Sequence, residues 1–386
     1  MTNGQSPPLV YLDHAAAAPI DADVASRHDE LCRRFYFNPH STHQYADDCV
    51  RAVENAKEKL LALLGIDRTE ADVIWTSGGT EANNLAILGC LRELGSGSTA
   101  LIESTAHSSV IAPARAHADA EGQAIDVPVD RSGHIDLEAL DVAIPVPKGA
   151  LALCHVNNET GVRQDLTAVR DWLNRCAPDT YLIVDALQSF TKFEIDWAAA
   201  AIDLLTLGGR KIGGPPHTGA LVMRRGTPLK PIMFGGGQQK GLRPGTMDTI
   251  GIIEFVGAAE RARAVREDNL SHVAMLRGYL IEGLKKDDFP KVEILSPPDA
   301  SPYILNFALP GYEGAIVMRA LAEKNIIVAT GSACSAESTS TSHVLEAMQI
   351  DRRTARSALR VSFGEDTTRA MLDRLLAELK MVLEAY

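Results

Sequence analysis

Four short stretches of the sequence hold residue types that do chemistry together. "TSGGTEANN" places Gly78, Gly79 and Thr80 between an apolar run and a helical stretch. Two glycines let backbone N–H groups close on an anion at a helix N-terminus, and the threonine adds a hydroxyl. "YLIVDALQSF" sets Asp185 at the end of another apolar run, with Gln188 three residues on. An acid so placed holds a protonated ring nitrogen, which a cofactor acting as an electron sink requires. "TLGGRKIGG" sets Lys211 among glycines, and a lysine kept from water has a lowered pKa and forms an imine. "ATGSACSAES" surrounds Cys334 with small, turn-forming residues that keep a thiol reachable, whereas Cys90 and Cys154 sit in apolar runs and read as core. Read singly, the first three have ordinary alternatives: a plain βα turn, a helix-capping aspartate, a solvated loop lysine. The glycine spacing matches neither a Walker loop nor G-x-G-x-x-G. Together the anion cradle, the acid and the lysine describe pyridoxal phosphate.

The elements that must position these residues alternate along the chain. Apolar runs at 72–77, 99–104, 149–156, 181–185 and 203–208 read as buried strands, and 80–94 as the helix after the first. Strands alternating with helices predict an α/β fold with a largely parallel sheet covered on both faces. Ligands of such sheets sit at the carboxyl ends of the strands. The stretch 44–65 puts Val53, Ala56, Leu60 and Leu64 on one helical face and ends in a glycine suited to a C-cap. From about residue 260 the pattern changes to one long helix over 257–284, short strands at 292–296, 303–309 and 358–363, and a last helix with Leu372, Leu375, Leu376, Leu379 and Val382 at helical spacing. This predicts a second, smaller α+β domain that carries Cys334.

Composition bounds the reading. The 386 residues are too many for one ordinary core and suggest two or three units. Thirty-eight basic and 50 acidic residues give a formal charge of −12, which argues against a duplex nucleic acid partner. The opening "MTNGQSPPLVYLDH" lacks the basic and apolar regions of a signal peptide, and no apolar run approaches the ~20 residues that span a bilayer. A soluble, cytoplasmic protein with no membrane contact is expected. The six cysteines form no C-x-x-C pair and predict neither a disulfide framework nor a metal site.

"YLDHAAAAP", "TSGGTEANNLAI", "HVNNETGVRQD", "VDALQS", "GGGQQKGLRPGT" and "GSACSAES…SHVLEAM…LRVSFG" follow one another here. This order resembles that of cysteine desulfurases of the NifS/IscS type, in the class V aminotransferase group of fold-type I pyridoxal phosphate enzymes. The likeness runs from about residue 10 to 368. It implies a mainly parallel seven-stranded sheet with helices on both faces, a large cofactor domain over 14–258, and a small domain from 1–13 and 259–386. By resemblance Lys211 is the imine lysine, Asp185 pairs with the ring nitrogen and Gln188 with the ring hydroxyl. His107 ("ESTAHSSV") stacks on the ring, while Gly79 and Thr80 cradle the phosphate. Thr246 reaches the phosphate across a homodimer interface, and Asn158 and Arg360 hold the substrate carboxylate. An arginine facing solvent at a strand end is the plain alternative for Arg360.

Cys334 aligns with the nucleophile that takes sulfur from L-cysteine as a persulfide and releases L-alanine, and "GSAC" resembles the branch with an extended loop. His107 is the expected acceptor of the thiol proton. One departure stands out. Where this branch has Ser-Gly-His before the lysine, this chain has Gly208, Gly209 and Arg210, so Arg210 either takes over part of the phosphate binding or points away and leaves a weaker phosphate site. The following "GGPPHTGAL" also differs from the usual glycine–proline–lysine–glycine turn. Rival readings keep the cofactor and change the reaction (selenocysteine lyase, cysteine sulfinate lyase, aminotransferase) or remove catalysis and leave a scaffold. The resemblance implies a sulfur-acceptor protein serving iron–sulfur cluster assembly, tRNA thiolation or a thio-cofactor, without choosing among them.

Overall fold

The computed structural model describes residues 7–120, 122–143, 148–286, 289, 291–331 and 341–386. Its strands are β1 (Val10–Tyr11), β2 (Ala71–Thr76), β3 (Thr99–Glu103), β4 (Gln123–Val127), β5 (Gly149–Cys154), β6 (Thr180–Asp185), β7 (Leu204–Gly208), β8 (Gly219–Arg224), β9 (Glu293–Ile294), β10 (Ile304–Ala308), β11 (Ile326–Ile327) and β12 (Ala358–Ser362). Seven form one sheet in the order β2-β8-β7-β6-β5-β3-β4. The pairs from β7 through β6, β5 and β3 to β4 are parallel, and only β8 runs against its two neighbours. The mainly parallel seven-stranded sheet expected from the sequence is present.

The central strands β3, β5 and β7 are buried along their whole length and β6 at all but Tyr181, as a sheet covered on both faces demands. Leu101, Leu151, Leu182 and Leu205 pack into one apolar cluster. Their neighbours Ile102, Ala152, Ile183 and Leu204 pack into another, by the two-residue alternation of strand side chains. Because β8 is antiparallel, β2 points the same way as β7. The carboxyl ends of β2, β3, β5, β6 and β7 therefore open toward one side. β4 and β8 were not anticipated. β4 is a half-exposed edge without a strong apolar run, and β8 ("GALVMR") lies close behind the glycine-rich turn after Lys211.

A second apolar cluster gathers around an antiparallel sheet of order β12-β10-β9, with Leu305, Phe307, Leu359 and Val361 against Leu276, Leu280, Leu372 and Leu379. The single helix expected over 257–284 is two, Thr249–Ala264 and Arg266–Leu284, broken at Val265 (φ −102°, ψ 11°). Phe255 and Val256 serve the large-sheet cluster and Val273 and Leu276 the second one, so one straight apolar stripe could not face both. The last helix, Arg369–Glu384, buries Leu372, Leu375 and Leu379 but leaves Leu376 and Val382 partly exposed. The helix Gln44–Leu63 buries Val53, Ala56 and Leu60, while Leu64 is its cap and Gly65 takes the left-handed φ of +68° that the sequence suggested.

β1 pairs in parallel with β11. The residues after it run from that pairing toward the carboxyl ends of the large sheet, where Ala18 N–H donates to Arg210 O. Among the described residues no helix is long and apolar enough to cross a membrane, and no group of three or more His, Cys, Asp or Glu is placed to hold a metal.

Candidate active site

A cavity of about 850 Å³ opens at the carboxyl ends of these strands. Gly79, Thr80, His107, Asn158, Asp185, Gln188, Arg210, Lys211 and Arg360 all line it. Residues scattered over 280 positions of sequence are thus brought to one place by strand ends. Thr246 is not among them and stands exposed in the loop before the helix Thr249–Ala264. Cys334 lies outside the described residues, although Gly331 and Thr341, which flank its segment, both line the cavity.

The cradle forms where β2 ends. Gly78 has φ +139°, which a side chain would resist, and it precedes the helix Gly79–Leu94. A Cβ on Gly79 would lie 2.0 Å from Leu187 Cδ2, so with any other residue the Leu187 side chain or the start of the helix would have to shift. A Cβ on Gly219 of β8 would be 2.7 Å from Gly78 Cα, so the strand presses on the cradle from behind. The helix N-terminus contributes about half a positive charge toward an anion. Thr80 is exposed to the cavity. The Arg210 guanidinium has no hydrogen-bond or ion-pair partner among the described residues, so it is free to meet a phosphate.

Asp185, the last residue of β6, is 6% exposed. Burial raises its carboxyl above the ordinary carboxylate range, opposed by hydrogen bonds from Leu187 N–H and from Asn83 Nδ2, at 2.9 and 2.7 Å. Asn83 was missed in the sequence, although it lies inside the quoted "TSGGTEANNLAI", one helical turn beyond Thr80. It also donates to Ser109 Oγ at 2.8 Å and accepts from Thr206 Oγ1 at 2.6 Å. Ser109 in turn touches His107. Its N–H donates to His107 Nδ1 at 3.1 Å, so Nδ1 is an acceptor and the neutral ring carries its proton on Nε2. Burial lowers the His107 pKa, with Asp185 opposing, which favours that neutral form.

Lys211 follows β7 on a short helical turn, Gly209–Lys211. Its Nζ donates to Ala15 O and Ala16 O, each at 2.7 Å. Burial, then Arg360 and Arg210, lower its pKa to about 8. At pH 7 about one lysine in ten is then neutral, against roughly one in 2,500 for a free side chain. Gln188 Nε2 donates to Ala15 O at 2.8 Å, while its buried Oε1 has no partner. Arg360, in β12, is 2% exposed; it donates to Asn158 O at 2.9 Å and to Asp13 Oδ1 at 2.5 Å.

Pyridoxal phosphate fits this donor set. The orphaned Gln188 Oε1 matches a ring hydroxyl, the buried Asp185 a ring N–H, and the glycine cradle with the unpaired Arg210 a phosphate. A buried lysine with a lowered pKa stands in the same cavity. This fold and site define a fold-type I pyridoxal phosphate enzyme.

Comparison with known proteins narrows the class. The aminotransferase class-V family matches residues 10–375. The chain is 32% identical to cysteine desulfurase IscS 1 of Archaeoglobus fulgidus, over 97% of each chain. It is 33% identical to the cysteine desulfurase of Homo sapiens, over 94% of this chain and 79% of that one. A solved NifS-like protein superposes with a TM-score of 0.90 at 27% identity, covering 98% of this chain and all of that one. The chain belongs to the aminotransferase class-V family, in its NifS/IscS-type cysteine desulfurase group.

Proposed function

We propose that this protein is a pyridoxal phosphate-dependent cysteine desulfurase that converts L-cysteine to L-alanine and leaves the sulfur as a persulfide on Cys334. The observation that carries this reading is a cavity uniting a lysine of lowered pKa, a buried aspartate and a buried arginine, in a chain of this family. Bound here, the cofactor supplies an aldehyde carbon for the substrate amine and a ring that stores the electron pair left at Cα.

The chain's own residues do the rest. Gly79, Thr80 and Arg210 hold the phosphate, and Gln188 orients the ring through its hydroxyl. Asp185 keeps a proton on the ring nitrogen, and the bond from Asn83 holds that carboxylate in line. Arg360 and Asn158 fix the substrate carboxylate, which sets which Cα bond is labile. Lys211 Nζ, neutral often enough at pH 7, removes the Cα proton. His107, kept neutral by burial, presents Nε2–H as a hydrogen-bond donor and takes up the thiol proton as the acceptor. The Cys334 sulfur bonds to the substrate sulfur, the substrate C–S bond breaks, one proton completes the methyl group at Cβ and the proton taken from Cα is returned there, so a thiol and cysteine become a persulfide and alanine.

We assign the site residues to two domains, 14–258 and 1–13 with 259–386; one large apolar cluster draws mainly on the first and another mainly on the second, with Ala15 and Val129 packing across to the second and Ala259 to the first. We read the protein as a homodimer in which Thr246 of one copy serves the phosphate of the other. Its exposure outside the cavity and the exposed Met233 and Phe234 in the same loop support this. The persulfide passes to an acceptor protein, with an iron–sulfur scaffold as the first candidate. A cytoplasmic site fits the reduced thiols of Cys32, Cys49, Cys90 and Cys154. The test is to reduce the yellow purified protein with borohydride and map the adduct by mass spectrometry. A pyridoxyl group on Lys211 together with alanine release from L-cysteine supports the reading, and a protein that stays colourless with added cofactor rejects it.

A further inference from the structure

Of the segment 11–17, Ala15 and Ala16 line the cavity, and the contacts described above use only their backbone carbonyls. Tyr11 hydroxyl donates to Ala17 O at 2.8 Å and pins the segment across its own turn. Ala15 O and Ala16 O hold Lys211 and Gln188. The side chain of this segment that reaches a cavity-lining group is Asp13, which meets Arg360. Its Oδ1 accepts from Arg360 Nη2 at 2.5 Å, with the aspartate 16% and the arginine 3% exposed at the side chain.

Arg360 needs such a partner. A buried guanidinium without a counter-charge costs several kcal/mol, enough to drive it toward solvent. The other carboxylate near it, Glu159, is committed elsewhere and accepts from Ser342 Oγ at 2.5 Å. Asp13 does not exhaust the arginine either. Of its five N–H groups one goes to Asp13 and one to Asn158 O, while Nε has no partner among the described residues. A carboxylate that takes one donor from one side fixes the plane and leaves the remaining donors for a second carboxylate.

We infer that Asp13 is a positioning residue: it holds the Arg360 guanidinium in the cavity wall in the orientation that receives the α-carboxylate of an amino acid. The inference rests on the proposed function, because it assumes that Arg360 binds that carboxylate. It predicts a selective defect. Removing Asp13 weakens ligands that carry an α-carboxylate and spares amines that lack one.

The test titrates the cofactor absorbance of purified holoenzyme with L-alanine and with ethylamine, the same amine without the carboxylate. Asp13→Ala should raise the apparent Kd for L-alanine about tenfold and leave that for ethylamine unchanged. Asp13→Asn, which keeps an acceptor oxygen and is the safer variant to fold, should shift L-alanine less but in the same direction. Equal weakening of both ligands would mean a merely structural aspartate and would overturn the inference. Tighter L-alanine binding would do so too, since Asp13 would then be a competitor for the arginine. Arg360→Ala separates the two layers. If it leaves the preference for L-alanine intact, the carboxylate role of Arg360 fails first and the inference about Asp13 falls with it.

Discussion

Asn83 Nδ2 lies 2.7 Å from Asp185 Oδ2, so a helix that begins at the phosphate cradle reaches back to hold the acid at the far end of the cofactor site. Both side chains are buried, Asn83 at 1% and Asp185 at 6% exposure. The bond favours the ionised carboxylate that burial opposes. Asn83→Leu, similar in size, removes the donor without opening a cavity. A hydrogen bond to a charged group contributes about 1.5–3 kcal/mol, so alanine release from L-cysteine should fall roughly tenfold or more. The yellow cofactor should remain bound, as measured by its absorbance.

Cofactor loading should follow the ionisation of Lys211. Only the neutral amine attacks an aldehyde, and burial with Arg360 and Arg210 places that transition at about pH 8. Uptake of pyridoxal phosphate by the apoprotein should therefore rise with pH and level off above about 8. Arg210→Ser removes one of the cations and should move the midpoint upward, which stopped-flow absorbance reads directly.

The same lysine sets a sign for stability. Its folded pKa is below the unfolded value, so the folded state binds fewer protons between the two. The apoprotein should gain stability as pH climbs from about 8 toward ~10.4, with the full penalty present below 8. Lys211→Met should flatten that part of the curve in thermal melts across pH.

Glycine at position 79 should be irreplaceable for cofactor binding. An alanine there would set its Cβ 2.0 Å from Leu187 Cδ2. Overpacking of this kind costs about 1–3 kcal/mol and pushes the helix N-terminus off the phosphate. Gly79→Ala should raise the apparent Kd for pyridoxal phosphate by about tenfold or more, measured by equilibrium dialysis.

Cys334→Ser should keep the cofactor spectrum and abolish both alanine release and the persulfide detected by thiol-blocking mass spectrometry. Full alanine production in that variant would move the reaction to one of the lyases that need no cysteine nucleophile.

The sequence made the sheet legible because buried parallel strands are apolar from end to end, as in "GALALC" and "YLIVD". Strand ends then pointed to Asp185 and Lys211 on local grounds alone. Thr80 was readable locally as part of its glycine turn, whereas the roles of His107, Asn158, Gln188 and Arg360 came from resemblance, and the structure adds that all five share one cavity. Other features are long-range and left no local signal. Asn83 binds a residue 102 positions away and Asp13 one 347 positions away. The break at Val265 was illegible because it answers two cores that meet only in three dimensions. Edge strand β4 is half exposed and carries little apolar pattern to read.

The pairing of β1 with β11, and of Asp13 with Arg360, bears on biosynthesis. A ribosome delivers the cradle, the acid and the lysine early, but β1 must wait for β11 and Asp13 for residue 360 to leave the exit tunnel before the segment between them is fully anchored. Loading with cofactor should accordingly be a post-translational event, and stalled nascent chains ending before β12 should emerge colourless however much vitamin B6 the cell holds.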